Sequence, residues 1–450
     1  MRFLLGITSI VLLSLSIQAQ WVRQKVDTTA SFRGLAVVNE KIVWASGTGG
    51  TVIRTIDGGK TWNVITVPGA EKLDFRDIEA FDANTAYILS IGNGDSSRIY
   101  KTTDGGKTWK LQFKNDDPKK FFDAMACWDQ QLCFAMSDPV DGRFPLLGTG
   151  NGGATWEFEA SSRSPSAVPD EAAFAASGTC LISIPSVRPG FLLVSGGSSA
   201  NVDIGRFGID SGLFWKQAAT PLVHGSAGSG IFSIAMSDES NGVVVGGNYE
   251  KPDEHEKNLA FTRDGGATWT LMPGLSGYRS GVSYIDRNTI IAVGTNGTDF
   301  SSDAGKSWLV FGIENLNAVQ SKGARATWAV GPNGSVLRLK KLVPASSPIS
   351  ADGDYALHTY SVDSLSLDRE VVDASGDATV QVAVHSGSDE YGRNIYFVTG
   401  GKIVGTGPNV KWDLAGAKPG RYTITAGVSM LSWGKWGDPV TTKTKTVTVR

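Results

Sequence analysis

The stretch Thr55-Ile-Asp-Gly-Gly-Lys-Thr-Trp62 decides the fold, because the same eight-residue frame recurs along the 450-residue chain. Good copies begin at Thr102, Thr149, Thr262 and Ser301, and a degenerate copy begins at Gly208. The Asp at the third position can accept hydrogen bonds from its own turn, and the Gly at the fifth position permits a positive φ. The closing Trp can bury a large apolar face. The frame therefore predicts a repeated turn that joins packed units.

The spacing of the frames predicts the architecture. Their closing Trp residues are 47, 47, 59, 54 and 39 residues apart, which is the period of a four-stranded propeller blade. Alternating β-branched runs, such as residues 31–38, 42–47 and 51–55, predict the strands. The last repeat, residues 327–339, ends without a frame, and residues 20–27 can supply its missing strand. We therefore predict a seven-bladed β-propeller closed by the N-terminal strand; six blades is the alternative, if the repeat at Asp210 is only an insertion.

The C-terminal part of the chain has a different pattern. Residues 342–353 are rich in Pro and Ser and predict a linker. Residues 354–450 contain about seven short alternating runs, which predict an antiparallel, Ig-like β-sandwich. The segment Pro419-Gly-Arg-Tyr-Thr-Ile-Thr425 loosely resembles the end of a PKD-like or other Ig-like module. The complete prediction is an all-β chain with the propeller over residues 20–341 and a sandwich that acts as a spacer.

The N-terminus predicts where the protein is located, and the composition limits the kinds of partner that it can have. Met1-Arg2, the apolar run over residues 3–17 and the small residue Ala19 predict a signal peptide over residues 1–19, and hence a secreted or periplasmic protein. No later apolar run is long enough to span a bilayer. A net charge of −2 argues against nucleic acid as a partner. We expect a monomer without a cofactor or a metal.

Three cysteines are present. Cys127 and Cys133 flank a predicted hairpin turn, where they can form a disulfide across the hairpin or remain two buried thiols. Cys180 has no obvious partner, and we expect a buried free thiol.

The candidate binding residues lie on the face opposite the repeated frames. Arginines at the start of three innermost strands would surround one mouth of the central channel. Because a guanidinium group binds carboxylates and phosphates through two parallel hydrogen bonds, such a ring predicts an acidic ligand or an acidic peptide segment. The alternative is that these arginines pair with carboxylates of the same strands or face solvent. The arginines are Arg33, Arg76 and Arg279, and the carboxylates are Asp77, Glu79 and Asp123.

Two long loops belong to the same predicted face. Loops on a rigid scaffold often carry binding residues. Asp138 and Asp141 are candidate cation ligands, but they lack the spacing of a calcium loop and we favour ordinary turn carboxylates. The candidates are Asp138, Asp141 and Arg143 in blade three, and Asn248 and Tyr249 in blade five.

The repeated frame is the Asp-box, and the stretch from Val43-Trp-Ala-Ser-Gly47 to Trp62 resembles the photosystem II stability/assembly factor family. The resemblance covers residues 21–340. It implies a seven-bladed propeller that acts as a binding or assembly scaffold, with a basic patch that maps to Arg33, Arg76 and Arg279. The long loops and the C-terminal domain depart from that family. We therefore expect a protein or an acidic ligand as the partner.

The alternative function is a sialidase-like glycoside hydrolase, since three arginines superficially match the carboxylate clamp of sialidases. Tyr284 lies on an innermost strand but lacks a convincing Glu partner, and Phe32-Arg-Gly-Leu35 differs from the sialidase Phe-Arg-Ile-Pro motif. A glycosidase with paired carboxylates, drawn from Asp77, Asp123 and Glu171, is left open.

Overall fold

The computed structural model describes residues 17–18, 21–208, 212–340 and 343–344, and in the C-terminal part residues 361–373, 378–387, 392–398, 401–404, 408–432, 435–436 and 442–450. The chain divides into two compact units, Met1–Ser347 and Pro348–Arg450. Nearly all of the predicted signal peptide, and most of the predicted linker, lie outside the described residues. No helix in the described ranges is long and apolar enough to cross a membrane.

The described strands of the first unit form seven antiparallel sheets and one short pair, Ile17–Gln18 with Val343–Pro344. In hydrogen-bonded order, sheet one contains Phe32–Val37, Val43–Gly47, Thr51–Thr55 and Asn63–Thr66. Sheet two contains Phe75–Ala80, Ala86–Ser90, Arg98–Thr102 and Lys110–Lys114. Sheet three contains Phe122–Cys127, Cys133–Ser137, Leu146–Thr149 and Glu157–Phe158. Short 3-10 turns occur at Gly94–Ser96 and Ser161–Arg163.

The remaining sheets follow the same order. Sheet four contains Leu181–Ser183, Gly190–Val194, Asn201–Gly208 and Gly212–Ala219. Sheet five contains Ser229–Met236, Gly242–Asn248, Leu259–Thr262 and Thr270–Leu271, and is extended by Gly196–Gly197 and Glu171–Ala172. Sheet six contains Gly281–Tyr284, Ile290–Gly294, Gly297–Ser301 and Leu309–Gly312. Sheet seven contains Ala318–Ser321, Thr327–Val330, Val336–Leu339 and Trp21–Arg23.

The sheets are arranged in a closed ring. The first strand of each sheet contacts the first strand of the next sheet, and the first strand of sheet seven contacts that of sheet one. These first strands are therefore the innermost strands. Trp21–Arg23 pairs antiparallel with Leu337–Leu339, so the N-terminal segment provides the outermost strand of sheet seven. The prediction of an all-β chain is confirmed.

Each Asp-box forms the turn that its sequence predicts. In the first box, Asp57 Oδ1 accepts a hydrogen bond from the Thr61 backbone N–H at 3.0 Å, and Oδ2 accepts one from the Thr61 hydroxyl at 2.6 Å. These hydrogen bonds lower the pKa of Asp57 to about 2. Gly59 has a φ of 86°, as the frame requires.

The box tryptophans and a set of cations fill the joints between neighbouring sheets. Trp62 of sheet one packs edge-on against Trp328 of sheet seven, with ring centroids 5.6 Å apart. The Arg338 guanidinium lies 5.2 Å from the Trp328 ring centroid, and Arg338 Nη1 donates to Gly58 O at 2.9 Å. We call this arrangement a cation seam: an aromatic ring on the second strand, a cation on the third strand and an acceptor carbonyl in the next sheet.

Cation seams occur at two further joints. Arg54 lies over Trp44 and donates to Ala83 O, which joins sheet one to sheet two. Lys101 lies over Tyr87, and its Nζ donates to Gly152 O at 2.6 Å, which joins sheet two to sheet three. Cation–π contacts of this kind contribute roughly 0.5–2 kcal/mol each.

A disulfide joins Cys127 and Cys133, which face each other across the first hairpin of sheet three. Of the two arrangements that the sequence left open, the structure has the cross-hairpin bond. Cys180 is buried and free, as predicted.

The second unit contains two sheets that share an apolar core. One sheet contains Ser361–Leu367, Thr379–Gly387, Asn409–Asp413 and Lys402–Val404. The other contains Val371–Val372, Thr442–Val449, Gly420–Ser432 and Gly392–Val398, and Lys435–Trp436 pairs with its longest strand. Val380, Val382 and Trp412 of the first sheet are buried with Ile424 and Val447 of the second.

Candidate functional site: the arginine mouth

Arg33 and Arg76 lie at equivalent positions in neighbouring sheets. Each follows a buried phenylalanine at the start of an innermost strand, where a break in the pairing register inserts one extra residue. Arg76 Nε donates to Asp74 Oδ2 at 2.8 Å, and the Arg76 side chain keeps 29% of its surface exposed. No ion pair of Arg33 is found within the described residues. Burial, and then the charge of Arg76, lower the pKa of Arg33.

Both guanidinium groups bind the backbone of one segment, residues 173–178, which we call the plug. Arg33 Nη1 donates to Ala176 O at 3.0 Å, and Arg76 Nη1 donates to Ala175 O at 3.2 Å. On the other side of the ring, Ser177 Oγ donates to Ser280 O at 2.7 Å. The plug thus contacts sheets one, two and six, and it crosses the space that the innermost strands enclose.

The plug is anchored at both ends. At one end, the backbone N–H of Ala173 donates to Asp138 Oδ1 at 2.9 Å. At the other end, Gly178 adopts a φ of 75°, and a Cβ there would lie 2.4 Å from Asp77 Oδ1. The plug is therefore fitted closely to sheets two and three.

Aromatic side chains extend this surface towards sheet five. The Phe174 ring of the plug stacks on Phe232, with centroids 3.9 Å apart and an interplanar angle of 7°. Tyr249 lies edge-on to both rings and is 49% exposed. The buried Tyr278 lies beside Phe232. Burial raises the pKa of its hydroxyl group, and the nearby positive charge of Arg33 partly offsets this effect. We call the surface formed by Arg33, Arg76 and Tyr249 over the plug the arginine mouth.

Arg279 is not part of this surface, which corrects the prediction. Its side chain is 0% exposed and forms an ion pair with Asp299 at 2.7 Å. It also donates to Asn296 Oδ1 and to Ser276 Oγ. These hydrogen bonds hold Arg279 inside sheet six, so it cannot contact a ligand at the mouth.

The loop candidates in blade three serve the local structure. Burial raises the pKa of Asp138 to about 6, and its carboxylate holds the plug. Arg143 Nη1 donates to Ser164 O at 2.8 Å, which ties two loops together. Asp141 is exposed, with a φ of 52°. In the described residues, no group of three or more acidic, His or Cys side chains is placed to hold a metal ion.

The two candidates in blade five have different surroundings. Asn248 is only 8% exposed, and its Oδ1 accepts a hydrogen bond from the Glu250 backbone N–H at 3.0 Å. It shapes the turn that presents Tyr249. Of the eight predicted site residues, the structure brings Arg33, Arg76 and Tyr249 together at the mouth. Asp138 holds the plug, to which both arginines donate hydrogen bonds.

The carboxylates of the hydrolase alternative are buried. Burial raises the pKa of Asp77 to about 7, although both its oxygens accept backbone N–H groups, from Ile78 and Met125. Burial also raises the pKa of Asp123. Glu171 accepts hydrogen bonds from Ser195 and Asn201. The three residues are at most 5% exposed, so none is accessible to a sugar in this structure.

Sequence reasoning missed the plug. Its only signal is the Trp-to-Trp spacing of 59 residues between the third and fourth frames, against 47 for the two preceding repeats. That excess indicates an inserted loop, but the sequence does not reveal that the loop turns into the ring.

Comparisons with known proteins agree with this architecture. The family described as photosynthesis system II assembly factor YCF48 matches residues 13–120. A solved structure of YCF48 bound to D1 peptide shares 17% identity with a TM-score of 0.50, over 72% of this chain and 99% of that chain. The extracellular domain of a hybrid two-component system from B. thetaiotaomicron shares 9% identity with a TM-score of 0.53, over 94% of this chain and 56% of that chain. No curated protein matches the chain.

These likenesses and the ring of sheets define the class of the first unit. It is a β-propeller that resembles the photosystem II assembly factors, most clearly over residues 13–120.

Proposed function

We propose that this chain is a secreted or periplasmic scaffold that binds an acidic segment of a partner protein at the arginine mouth. In this proposal the seven sheets are the seven blades of the propeller, and the second unit is an Ig-like spacer. A propeller of this fold has been solved with a bound peptide, YCF48 with D1 peptide, which supports a protein as the partner.

The arrangement of the charges of Arg33 and Arg76 is the main support for this proposal. Arg33 and Arg76 are close enough for the charge of Arg76, after burial, to lower the pKa of Arg33, and both guanidinium groups donate to uncharged carbonyls of the plug. Of the two arginines, Arg76 pairs with one carboxylate, Asp74, and no ion pair of Arg33 is found within the described residues, so two cations face one anion and the pair retains a positive charge. A carboxylate placed between them would relieve their repulsion and gain charge-assisted hydrogen bonds.

The exposed Tyr249 adds an apolar contact beside the two charges. Aromatic residues and Arg are the side chains most enriched at the energetic centres of protein interfaces. An acidic residue next to an apolar one in the partner would satisfy both parts of the mouth.

The test is capture of binding partners from the envelope fraction of the host, with the mature protein as bait. We expect Arg33→Ala with Arg76→Ala to lose a partner that the parent retains, because both charged anchors are removed. Two side chains on the opposite face, Lys41 and Arg325, provide the matched control, since Lys41→Ala with Arg325→Ala removes the same charge. If both double variants retain the same partners as the parent, the arginine mouth is not the binding site.

The structure gives no matching support to the hydrolase. Tyr284 has an intermediate exposure and a pKa raised by burial, and its hydroxyl interacts with Ser237. No observation on the described residues places a Glu beside it, and the candidate carboxylates are buried.

A further inference from the structure

A pocket of about 530 Å3 opens between sheets five and six, on the face that carries the Asp-boxes. It is therefore on the opposite side of the ring from the arginine mouth. Sheet five contributes its third and fourth strands and its box, and sheet six contributes its own box and the end of its innermost strand. Its volume is within the range of small-molecule sites in proteins, roughly 300–1,000 Å3.

The joint that holds the pocket lacks a cation seam. In sheet one, Trp44 pairs with Arg54, the residue immediately before the box. In sheet five, the corresponding pair is Val243 with Phe261. A valine is smaller than an indole, and Phe261 cannot reach a carbonyl across the joint as Arg54 does. Phe261 packs instead against Gly305 of the next box, where a Cβ would lie 2.1 Å from the ring.

The wall of the pocket has an apolar part. Phe261, Met272 and Tyr284 line it and are each partly buried. These three side chains contribute two aromatic rings and a thioether to the wall, which suits a flat or extended apolar group.

The rim of the pocket is cationic. Arg263, Arg287 and Lys306 line it and are exposed. No ion pair of these three residues is found in the part of the chain that the structure describes. The rim is thus able to receive an anionic group.

Two carboxylates also line the pocket, and both are already engaged. Asp264 accepts hydrogen bonds from the backbone and the hydroxyl of Thr268 within its box. Asp238 accepts hydrogen bonds from the backbone N–H groups of Asn241 and Ser240. These hydrogen bonds, and the nearby charge of Arg287, lower the pKa of Asp238. The three cations exceed the two carboxylates by one, so the rim retains a positive charge.

We propose that this pocket is a binding site for a small amphipathic anion, in which an apolar ring or chain carries one acidic group. The apolar part lies against Phe261, Met272 and Tyr284. The acidic group lies at the rim, against Arg287 and Lys306. The site is independent of the arginine mouth and does not depend on the partner proposed there.

Anilinonaphthalene sulfonate is a suitable probe, because it joins an aromatic ring system to one anionic group. We expect the full chain to bind one equivalent, seen as a fluorescence increase. Arg287→Glu with Lys306→Glu should weaken that binding at least about tenfold, since it reverses the charge of the rim. The uncharged analogue phenylnaphthylamine should bind the parent more weakly than the sulfonate and should be insensitive to the reversal.

Two further variants locate the site. Lys107 and Lys306 are at the same position of their frames, the second and the sixth. Lys107 lies at the joint between sheets one and two, which has a cation seam formed by Arg54. Lys107→Glu should leave the affinity unchanged. Thr270→Trp should abolish binding of both dyes, because Thr270 lines the pocket and the indole would fill it. The proposal is overturned if the rim reversal leaves the affinity unchanged, if Lys107→Glu weakens it equally, or if Thr270→Trp binds as the parent does.

Discussion

At the scale of single residues, Arg33, Arg76 and Arg279 show what a sequence position can and cannot reveal. All three lie near the start of an innermost strand, as predicted. Arg33 and Arg76 occupy the extra position of a register break and reach the mouth. Arg279 lies just before its strand, and its side chain forms a buried ion pair with Asp299. Asp299 lies two residues before its frame, and the residue at the same position in sheet one is Ile53. An aspartate in that apolar position was the available signal of a buried ion pair.

This contrast predicts opposite effects of two arginine substitutions. Arg279→Ala leaves Asp299 buried and unpaired, so we expect the free energy of unfolding to fall by about 3–5 kcal/mol. Arg33→Ala should change it far less, because Arg33 contributes one hydrogen bond to the plug. Chemical denaturation of both variants measures the difference, and equal stabilities would show that the Arg279–Asp299 pair is not needed for folding.

The buried Asp203 of sheet four predicts a pH dependence. Burial raises the pKa of Asp203 to about 8, whereas an aspartate in an unfolded chain has a pKa of about 4. The folded protein keeps a proton that the unfolded chain releases between these values. Asp203 therefore lowers the free energy of unfolding as the pH rises from about 4 to about 8, by roughly 1.4 kcal/mol for each pH unit inside that window.

Asp203→Asn removes this titration while keeping an acceptor for Gln217. The melting temperature of the variant should equal that of the parent near pH 4 and exceed it at pH 8. The exposed Asp116 offers a control, since Asp116→Asn should follow the parent at every pH. A parent and an Asp203→Asn variant with identical pH profiles would contradict the raised pKa.

At the scale of elements, the Asp-box and the plug differ in what determines them. The box was predictable because its hydrogen bonds join residues at most four apart, as between Thr55 and Gly59. The plug was not, because its conformation depends on contacts with sheets one, two, three, five and six, which are far apart in sequence. The same reason applies to the pocket, because residues of two separate sheets line it.

The plug predicts that a glycine can control the arginine mouth. Gly178→Ala places a methyl group against Asp77 and forces a side chain into a positive φ, so the plug must shift. We expect weaker partner binding with both arginines intact. Gly225 has a φ of 100° and open space around it, so Gly225→Ala imposes the backbone strain without the clash. Equal binding by the two variants would show that the position of the plug does not affect partner binding at the mouth.

At the scale of the whole molecule, repeat counting from the sequence was informative. Five good frames and one degenerate frame, with an incomplete last repeat, indicated the set of sheets, and Trp21–Arg23 pairs where the missing strand was expected. Counting could not single out the arginine mouth, because every sheet contributes turns to both faces of the ring. That distinction depends on the register breaks at Arg33 and Arg76 and on the plug.

Site-specific photocrosslinking in the native host tests whether the arginine mouth is the face that binds a protein partner. A benzophenone side chain would replace either Tyr249 at the mouth or Ile56, an exposed residue of the first box on the opposite face. We expect a protein adduct from position 249 that disappears when Arg33 and Arg76 are both changed to Ala, and no such adduct from position 56. An adduct from position 56 alone, or one from position 249 that persists without the arginines, would show that Arg33 and Arg76 do not hold a partner at the mouth.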